Sequence, residues 1–334
     1  MSTADKLNRL VQTKSEIREA IIAKGVEVDS STPFSQYSSK IGEISGGGGG
    51  EGLTGLPWQI QDNEIVALQQ ENYTCPYSAC PANFFYYAFR GNRLTKNASF
   101  PNFTRLNNSR EFYYMNYQGT GLRSLSFPNL RDISSQDAFG YSNYYDNNLE
   151  SIDFSSLETI TGNNCFSYAF SSCTKLKNIS FPSLRQIGGQ TTFSAAFQSC
   201  NNIESMEFPE LTIIGDPTSW NSYGNFYNAF SNCTKLTEIT FPKLETIYCT
   251  AGYTSTSNGT FSSNNRIQKL YFPKLKTITY YSGGADCTMY LFNSCNSLTE
   301  IHFAAENQAD IEATAGYATL WGRGAGNATV YFDL

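Results

Sequence analysis

A single histidine, His302, is the first place to look for chemistry in this 334-residue chain. It sits between Ile301 and Phe303, so on a strand it points away from the core. No Ser-His-Asp or Cys-His arrangement can be built on it. Cys75 and Cys80, in "CPYSAC", have no second pair and no histidines at zinc spacing, so they read as cap packing or one local disulfide. Glu150, Glu158, Glu238 and Glu245 recur at outward positions and read as a solvated face, not as the two carboxylates of a glycosidase. "SGGGGGEG" lacks the Lys-Ser/Thr of a phosphate loop and follows no strand. The expectation is a non-enzymatic protein with no catalytic residues, no metal and no cofactor.

The elements that carry these residues have an unusual composition. Charged residues make up 16% and aromatics 15%, with a net charge of −6, which is neither the charged, aromatic-poor profile of a disordered chain nor a basic footprint for nucleic acid. No run of 18 apolar residues is present and "MSTADKLNRLVQTK" does not resemble a signal peptide, so neither membrane insertion nor classical export is expected. The odd count of nine cysteines then favours reduced thiols over a disulfide framework.

Internal repetition sets the architecture. "TKLTEITFPKLETI" at 234–247 has relatives in "NRLTKNASFPNFTRL" from Asn92, "TGLRSLSFPNLRDI" from Thr120, "NNLESIDFSSLETI" from Asn147, "TKLKNISFPSLRQI" from Thr174, "NNIESMEFPELTII" from Asn201, "NRIQKLYFPKLKTI" from Asn265 and "NSLTEIHF" from Asn296. Their anchoring phenylalanines stand at 100, 127, 154, 181, 208, 241, 272 and 303. Such regular steps predict one solenoid rather than several domains. Ile239 and Phe241 share one face of a short strand, Pro242 ends it and turns the chain, and Leu244 and Ile247 fill the next side. Upstream, "YAF" at 87–89, "DAF" at 137–139, "YAF" at 168–170, "AAF" at 195–197 and "NAF" at 228–230 predict a short helical or 3-10 turn on the far side. Cys173, Cys200, Cys233 and Cys295 precede the strands at one fixed offset, and read as small buried residues at a tight corner.

The unit "AF-x-x-C-x-x-L-x-x-I-x-F-P-x-L-x-x-I" resembles the BspA-type, or Treponema-type, leucine-rich repeat of bacterial and phage-borne surface proteins, over residues 84–305. The resemblance implies a leucine-rich-repeat-like repeat solenoid of short parallel strands plus helical or 3-10 turns, about eight coils long, at about 4.8 Å per coil. A small α-helical N-terminal module precedes it. Residues 53–334 form the solenoid with its caps, the segment from Leu53 to Asn83 covering the first coil and "ATVYFDL" adding a last strand.

Residues 1–45 differ in kind. Leu7, Leu10, Ile17 and Ile21 follow helical spacing, Gly25 stops that helix, and "STPFSQYSSKIGEI" supplies a second, with Phe34, Tyr37 and Ile41 apolar. Residues 46–52 are a glycine-rich hinge. The head resembles a module near the N-termini of bacteriophage tail and fibre proteins, which implies that these seven side chains dock on other virion proteins.

Between repeats lie stretches rich in Tyr, Asn, Ser and Gly: "EFYYMNYQG", "GYSNYYDNN", "DPTSWNSYGNFYN", "YCTAGYTSTSNG" and "YYSGGADCTMY". This is the composition of paratopes. The candidate recognition surface is Tyr113, Tyr114, Tyr117, Tyr144, Tyr145, Trp220, Tyr223, Tyr253, Tyr280 and Tyr281, facing a host-surface glycan or protein; the rest of the aromatics pack between coils. The expected role is a phage virion tail, fibre or decoration protein on the particle surface, used for host adhesion, with homo-oligomerisation left open. The alternatives are a BspA-like adhesin on a bacterial cell surface and an enzyme acting on cell-wall polysaccharide.

Overall fold

The computed structural model describes residues 14, 15, 17–19, 21, 22, 28, 29, 31–33, 58–61, 64–67, 71–80, 82–90, 92–218, 224–248, 259–279, 291–314, 317 and 328–334. The chain divides into two units, Met1–Leu68 and Gln69–Leu334. In the first unit residues 14, 15, 17–19, 21 and 22 are helical, Ile21 and Val28 are buried, and Arg18 Nε donates to the Val28 carbonyl at 2.8 Å. Strands β1 (Trp58–Gln61) and β2 (Glu64–Ala67) pair antiparallel. The expected boundaries at 45/46 and 52/53 lie outside the described residues.

The second unit is a parallel β-solenoid of about eight turns. One side is laid down by β3 (Asn72–Thr74), β4 (Asn97–Ser99), β6 (Ser124–Ser126), β8 (Ser151–Asp153), β10 (Asn178–Ser180), β12 (Ser205–Glu207), β14 (Glu238–Thr240), β16 (Lys269–Phe272), β18 (Glu300–Phe303) and β19 (Thr329–Phe332). The next side is laid down by β5 (Arg105–Leu106), β7 (Asp132–Ile133), β9 (Thr159–Ile160), β11 (Gln186–Ile187), β13 (Ile213–Ile214), β15 (Thr246–Tyr248) and β17 (Thr277–Thr279). These seven make one unbroken parallel sheet, whereas the first side is divided into sheets of four, two and four strands. As expected, "ATVYFDL" adds the last strand: β19 pairs in parallel with β18.

The corner between the two sides explains the proline. Phe241 N–H donates across to the Tyr271 carbonyl at 2.9 Å, and Leu244 N–H donates back to the Phe241 carbonyl at 3.3 Å. Phe-Pro-x-Leu is therefore a β-turn with proline at its second position, where a fixed φ is favoured and no N–H is needed. The same closure recurs at Leu130, Leu157, Leu184, Leu211 and Leu275.

The third side departs from the expected helical turn. It is a run of hydrogen-bonded turns in which alternate N–H groups serve two partners. Phe112, Tyr114, Asn116 and Gln118 donate to the next coil, at Ala138, Gly140, Ser142 and Tyr144, while Met115 and Tyr117 donate back to Phe112 and Tyr114. Every backbone donor in this stretch is thereby paired without a helix. The geometry demands a left-handed residue at every fourth place: Arg110, Tyr114 and Gln118, then Asp137, Tyr141 and Tyr145, then Asn164, Tyr168 and Ser172, with φ from 53° to 63°. Side chains consequently run two in, two out, as in buried Glu111–Phe112, outward Tyr113–Tyr114, buried Met115–Asn116 and outward Tyr117–Gln118. Among the described residues of this unit, regular helix is confined to α1 (Gln308–Glu312), after the 3-10 turn Ala305–Asn307, and Tyr317.

Two columns of phenylalanine fill the interior. The anchoring rings from Phe100 to Phe332 stack at 4.5–6.1 Å between centroids. A second column, Phe85, Phe112, Phe139, Phe166, Phe193, Phe226, Phe261 and Phe292, stacks at 4.8–5.8 Å. The two meet edge to face, as Phe112 and Phe127 do at 4.8 Å and 82°, an arrangement each ring quadrupole favours. One copy of the upstream motif is thus out of register: Phe139 of "DAF" belongs with Phe112 and Phe166, and the residue level with Phe170 in that coil is Asn143.

Candidate functional site

The two-in, two-out turn ladder puts the tyrosines on one face. Three columns form along the solenoid axis. Tyr87, Tyr114, Tyr141 and Tyr168 make the central one, at 5.6, 5.1 and 4.8 Å between centroids, the last two steps stacked at 15° and 7°. Tyr86 and Tyr113 stack beside it at 6.3 Å, and Tyr117 and Tyr144 on the other side at 5.5 Å and 11°. Edge-to-face contacts tie the columns together, as between Tyr113 and Tyr114 at 4.4 Å and Tyr141 and Tyr144 at 5.5 Å. Tyr145 lies at the margin, edge-on to Tyr144 at 4.4 Å, and is 47% exposed.

Small and charged residues complete the face. A Cβ at Gly140 would come within 2.8 Å of the Tyr113 ring, so glycine is what lets that ring lie down over the next coil. Arg90 rests over the Tyr87 ring at 4.7 Å and Arg110 over Tyr113 at 5.1 Å, both within cation–π range. Arg110 Nε also pairs with Asp137 at 3.0 Å. Burial, and after it the neighbouring phenols, raises Tyr113 and Tyr141 above the usual tyrosine range, and burial with the Tyr145 hydrogen bond pushes Tyr144 up to about 12. These phenols stay protonated near neutrality and act as hydrogen-bond donors, not as bases.

Of the sequence candidates, Tyr113, Tyr114, Tyr117, Tyr144 and Tyr145 are brought together here. Trp220, Tyr223, Tyr253, Tyr280 and Tyr281 lie outside the described residues, as do Leu7, Leu10, Phe34, Tyr37 and Ile41. Ile17 is half-buried and Ile21 only 2% exposed. The face also contains Tyr86, Tyr87, Tyr141 and Tyr168, which the sequence reading missed. The signal was present: 87, 114, 141 and 168 are spaced by the same 27 residues as the early anchoring phenylalanines.

The histidine and the cysteines are occupied otherwise. His302 is stacked between Tyr271 and Tyr331, each at 4.7 Å, with Nδ1 2.8 Å from Asp333 and Nε2 3.1 Å from Glu300. Both nitrogens face carboxylates and both ring faces meet phenols, so no side is left for a nucleophile. Cys75 and Cys80 are free and buried, as are Cys165, Cys173, Cys200, Cys233 and Cys295. Among the described residues no group of three His, Cys, Asp or Glu side chains could hold a metal ion, and no helix is long and apolar enough to cross a membrane.

Fold and face together define a parallel solenoid of leucine-rich-repeat type that displays an aromatic surface on its turn side. The BspA type leucine rich repeat region matches residues 83–224, 140–282 and 194–317, in six copies, and the chain belongs to that family. Among solved structures it is similar to a leucine-rich repeat protein from Bacteroides ovatus (17% identity, 74% of this chain, TM-score 0.35), of whose length it spans 62%. It is similar also to a leucine rich repeat protein of T. pallidum (18%, 74% of this chain and 89% of that one, TM-score 0.38) and to a leucine rich cell surface protein from Faecalibacterium prausnitzii (13%, 82% and 85%, TM-score 0.28). These likenesses are distant, and the family match alone places the chain. The comparison with curated proteins returned no match.

Proposed function

We propose that the solenoid is the non-catalytic recognition module of a bacterial cell-surface adhesin, and that it meets a protein target through its tyrosine face. The observation that carries this reading is the continuous array of tyrosines over four coils. Such rings contribute large contact area at low entropic cost. Membership of the BspA type family supports the surface role. It lends nothing to the virion role, which rests only on the resemblance of residues 1–45 to phage modules.

The stacking also bears on the target. A sugar ring is bound by an open aromatic face, but here the faces of Tyr114 and Tyr141 are turned to one another and to Tyr168. With those faces covered, the centre of the array suits a polypeptide surface better than a stacked sugar ring. The test is adhesion of the fluorescent full chain to bacterial and epithelial cells, with each cell type treated beforehand with protease or with glycosidases. Tyr114→Ala, Tyr141→Ala and Tyr144→Ala combined should abolish binding, as should protease. Undiminished binding of the triple variant would remove the face from the proposal, and loss of binding on glycosidase treatment alone would replace the protein target by a glycan.

A further inference from the structure

The corner that leads into each strand of the first side carries one residue per coil: Asn92, Gly119, Asp146, Cys173, Cys200, Cys233, Asn264 and Cys295. This column is built from donors. The thiols of Cys173, Cys200, Cys233 and Cys295 donate to the carbonyls of Asn143, Phe170, Phe197 and Phe261 in the preceding coil, at 3.0–3.1 Å. Asn264 Nδ2 donates to Phe226 at 3.0 Å, and Asn92 Nδ2 to Thr95 Oγ1 at 2.8 Å. Gly119 has no side chain. Asp146 alone has a group that, when ionised, can only accept, and it is fully buried.

Its two oxygens are not equivalent. Oδ1 accepts from Asn148 N–H at 3.0 Å, as Asn92 Oδ1 accepts from Leu94 and Thr95, which leaves Oδ2 in the donor's place. Oδ2 lies 2.5 Å from the side-chain amide of Asn116, whose Oδ1 is buried with no hydrogen-bond partner. That separation is too short for N–H···O and lies at the short end of the O–H···O range. The nitrogen and oxygen of an amide exchange places by a flip, so a protonated Asp146 donating to Asn116 Oδ1 accounts for the short contact, provided that Asn143, whose Oδ1 lies 3.4 Å from the same Asn116 atom, turns its own amide as well.

We infer that Asp146 is held as a neutral acid in the core, and that its ionisation controls the order of the turn bearing Tyr144 and Tyr145. Of the titratable and charged groups around it, Lys175 and Cys173 face it from the following coil, and Tyr144 and Tyr145 precede it on its own turn. The preceding coil contributes the neutral Asn116. Burial raises the carboxyl to about 7, opposed by the Asn148 and Asn116 hydrogen bonds and the charge of Lys175. Once ionised, Asp146 loses its donor role and must seek water. The turn at 143–148 opens, and Tyr144 leaves its stack on Tyr117. The tyrosine face is therefore complete in mildly acidic medium and loosened above neutrality. The switch stands on the column alone; only its consequence for adhesion rests on the function proposed above.

The experiment uses the full chain as wild type, Asp146→Asn and Asp146→Cys, the two variants being the column's own residues. Near-ultraviolet circular dichroism of the tyrosines is followed from about pH 5 to about pH 8.5, alongside amide exchange at 143–148 and the Asp146 carboxyl signal by carbon NMR. The wild type should show a one-proton change near neutrality, with amide exchange of the turn rising about tenfold beyond its intrinsic pH dependence. Both variants should stay flat; His302 is present in all three proteins, so its contribution cancels. If one variant fails to fold, the other carries the comparison. A carboxyl midpoint below about pH 5, or the same dichroism change in a folded variant, would overturn the inference. An intact switch with pH-independent adhesion would count against the tyrosine face as the contact and leave the switch standing.

Discussion

Replacing Phe181 with alanine tests what holds one coil to the next. The ring is fully buried, stacked on Phe208 at 5.4 Å and 1° and on Phe154 at 6.1 Å, and it meets Phe193 and Phe166 edge-on at 5.3 and 6.2 Å. Truncating a buried phenylalanine costs about 3–5 kcal/mol, and four aromatic partners place this one at the upper end, near 5 kcal/mol. Phe332, at the end of the same column, is half-buried and stacks on Phe303 at 5.7 Å, so Phe332→Ala should cost about 1–2 kcal/mol. In a nearest-neighbour array a weak central interface also breaks cooperativity. Equilibrium urea unfolding, followed by far-ultraviolet dichroism and tyrosine fluorescence, should therefore show two transitions for Phe181→Ala and one for Phe332→Ala. Equal costs for the two variants, or a cost below about 1 kcal/mol for Phe181→Ala, would show that the ring columns are not what joins the coils.

Asp146 also links stability to pH. Its folded value of about 7 lies above the ordinary 3.8, so the folded chain keeps a proton that the unfolded chain has lost. Its contribution is full below about pH 4 and falls as pH rises to about 7, by an upper bound on the order of 4 kcal/mol; urea titrations across that range should show the slope in wild type and not in Asp146→Asn. Gly189→Ala should destabilise by about 1–3 kcal/mol in thermal melts, because its Cβ would fall 1.9 Å from the Gly162 carbonyl oxygen. Burial raises the thiols of Cys173, Cys200, Cys233 and Cys295, the last two to about 12, so a chromogenic disulfide reagent should leave these four unmodified until the chain is unfolded. His302→Ala removes two carboxylate contacts and two ring stacks at the last strands, and amide exchange should quicken at 329–332 while the coils before 272 are unaffected.

The repeat was legible because burial at the strands leaves little freedom. Leu236, Ile239, Phe241, Leu244 and Ile247 are all buried, and a period-two strand followed by a proline turn can be read straight from that spacing. The turn side was harder. A two-in, two-out pattern matches neither the 3.6-residue period of a helix nor the two-residue period of a strand, so "EFYYMNYQG" reads as loop although Phe112 and Met115 are core. That same gap displaced "DAF" by four residues. It also hid the second ring column, since Phe85, Phe112 and Phe226 stand outside the "AF" motif. Adjacent tyrosine pairs such as Tyr113–Tyr114 were visible as composition, but their convergence on one face depends on left-handed backbone that nothing local in a tyrosine announces. The role of Asp146 was hidden for a related reason: its place in the cysteine column emerges only once the coils are in register.

Those left-handed positions bear on how the molecule could be resurfaced. Tyr87, Tyr114, Tyr141 and Tyr168 sit at φ of 53–58°, where a bulky side chain is disfavoured and glycine or asparagine is at ease. The backbone has no need of tyrosine there. A glycine or asparagine at each would relax the main chain while keeping every coil-to-coil hydrogen bond, so the frame and its display are separable parts. New side-chain sets could be written onto this face, one coil at a time, without redesigning the scaffold beneath it.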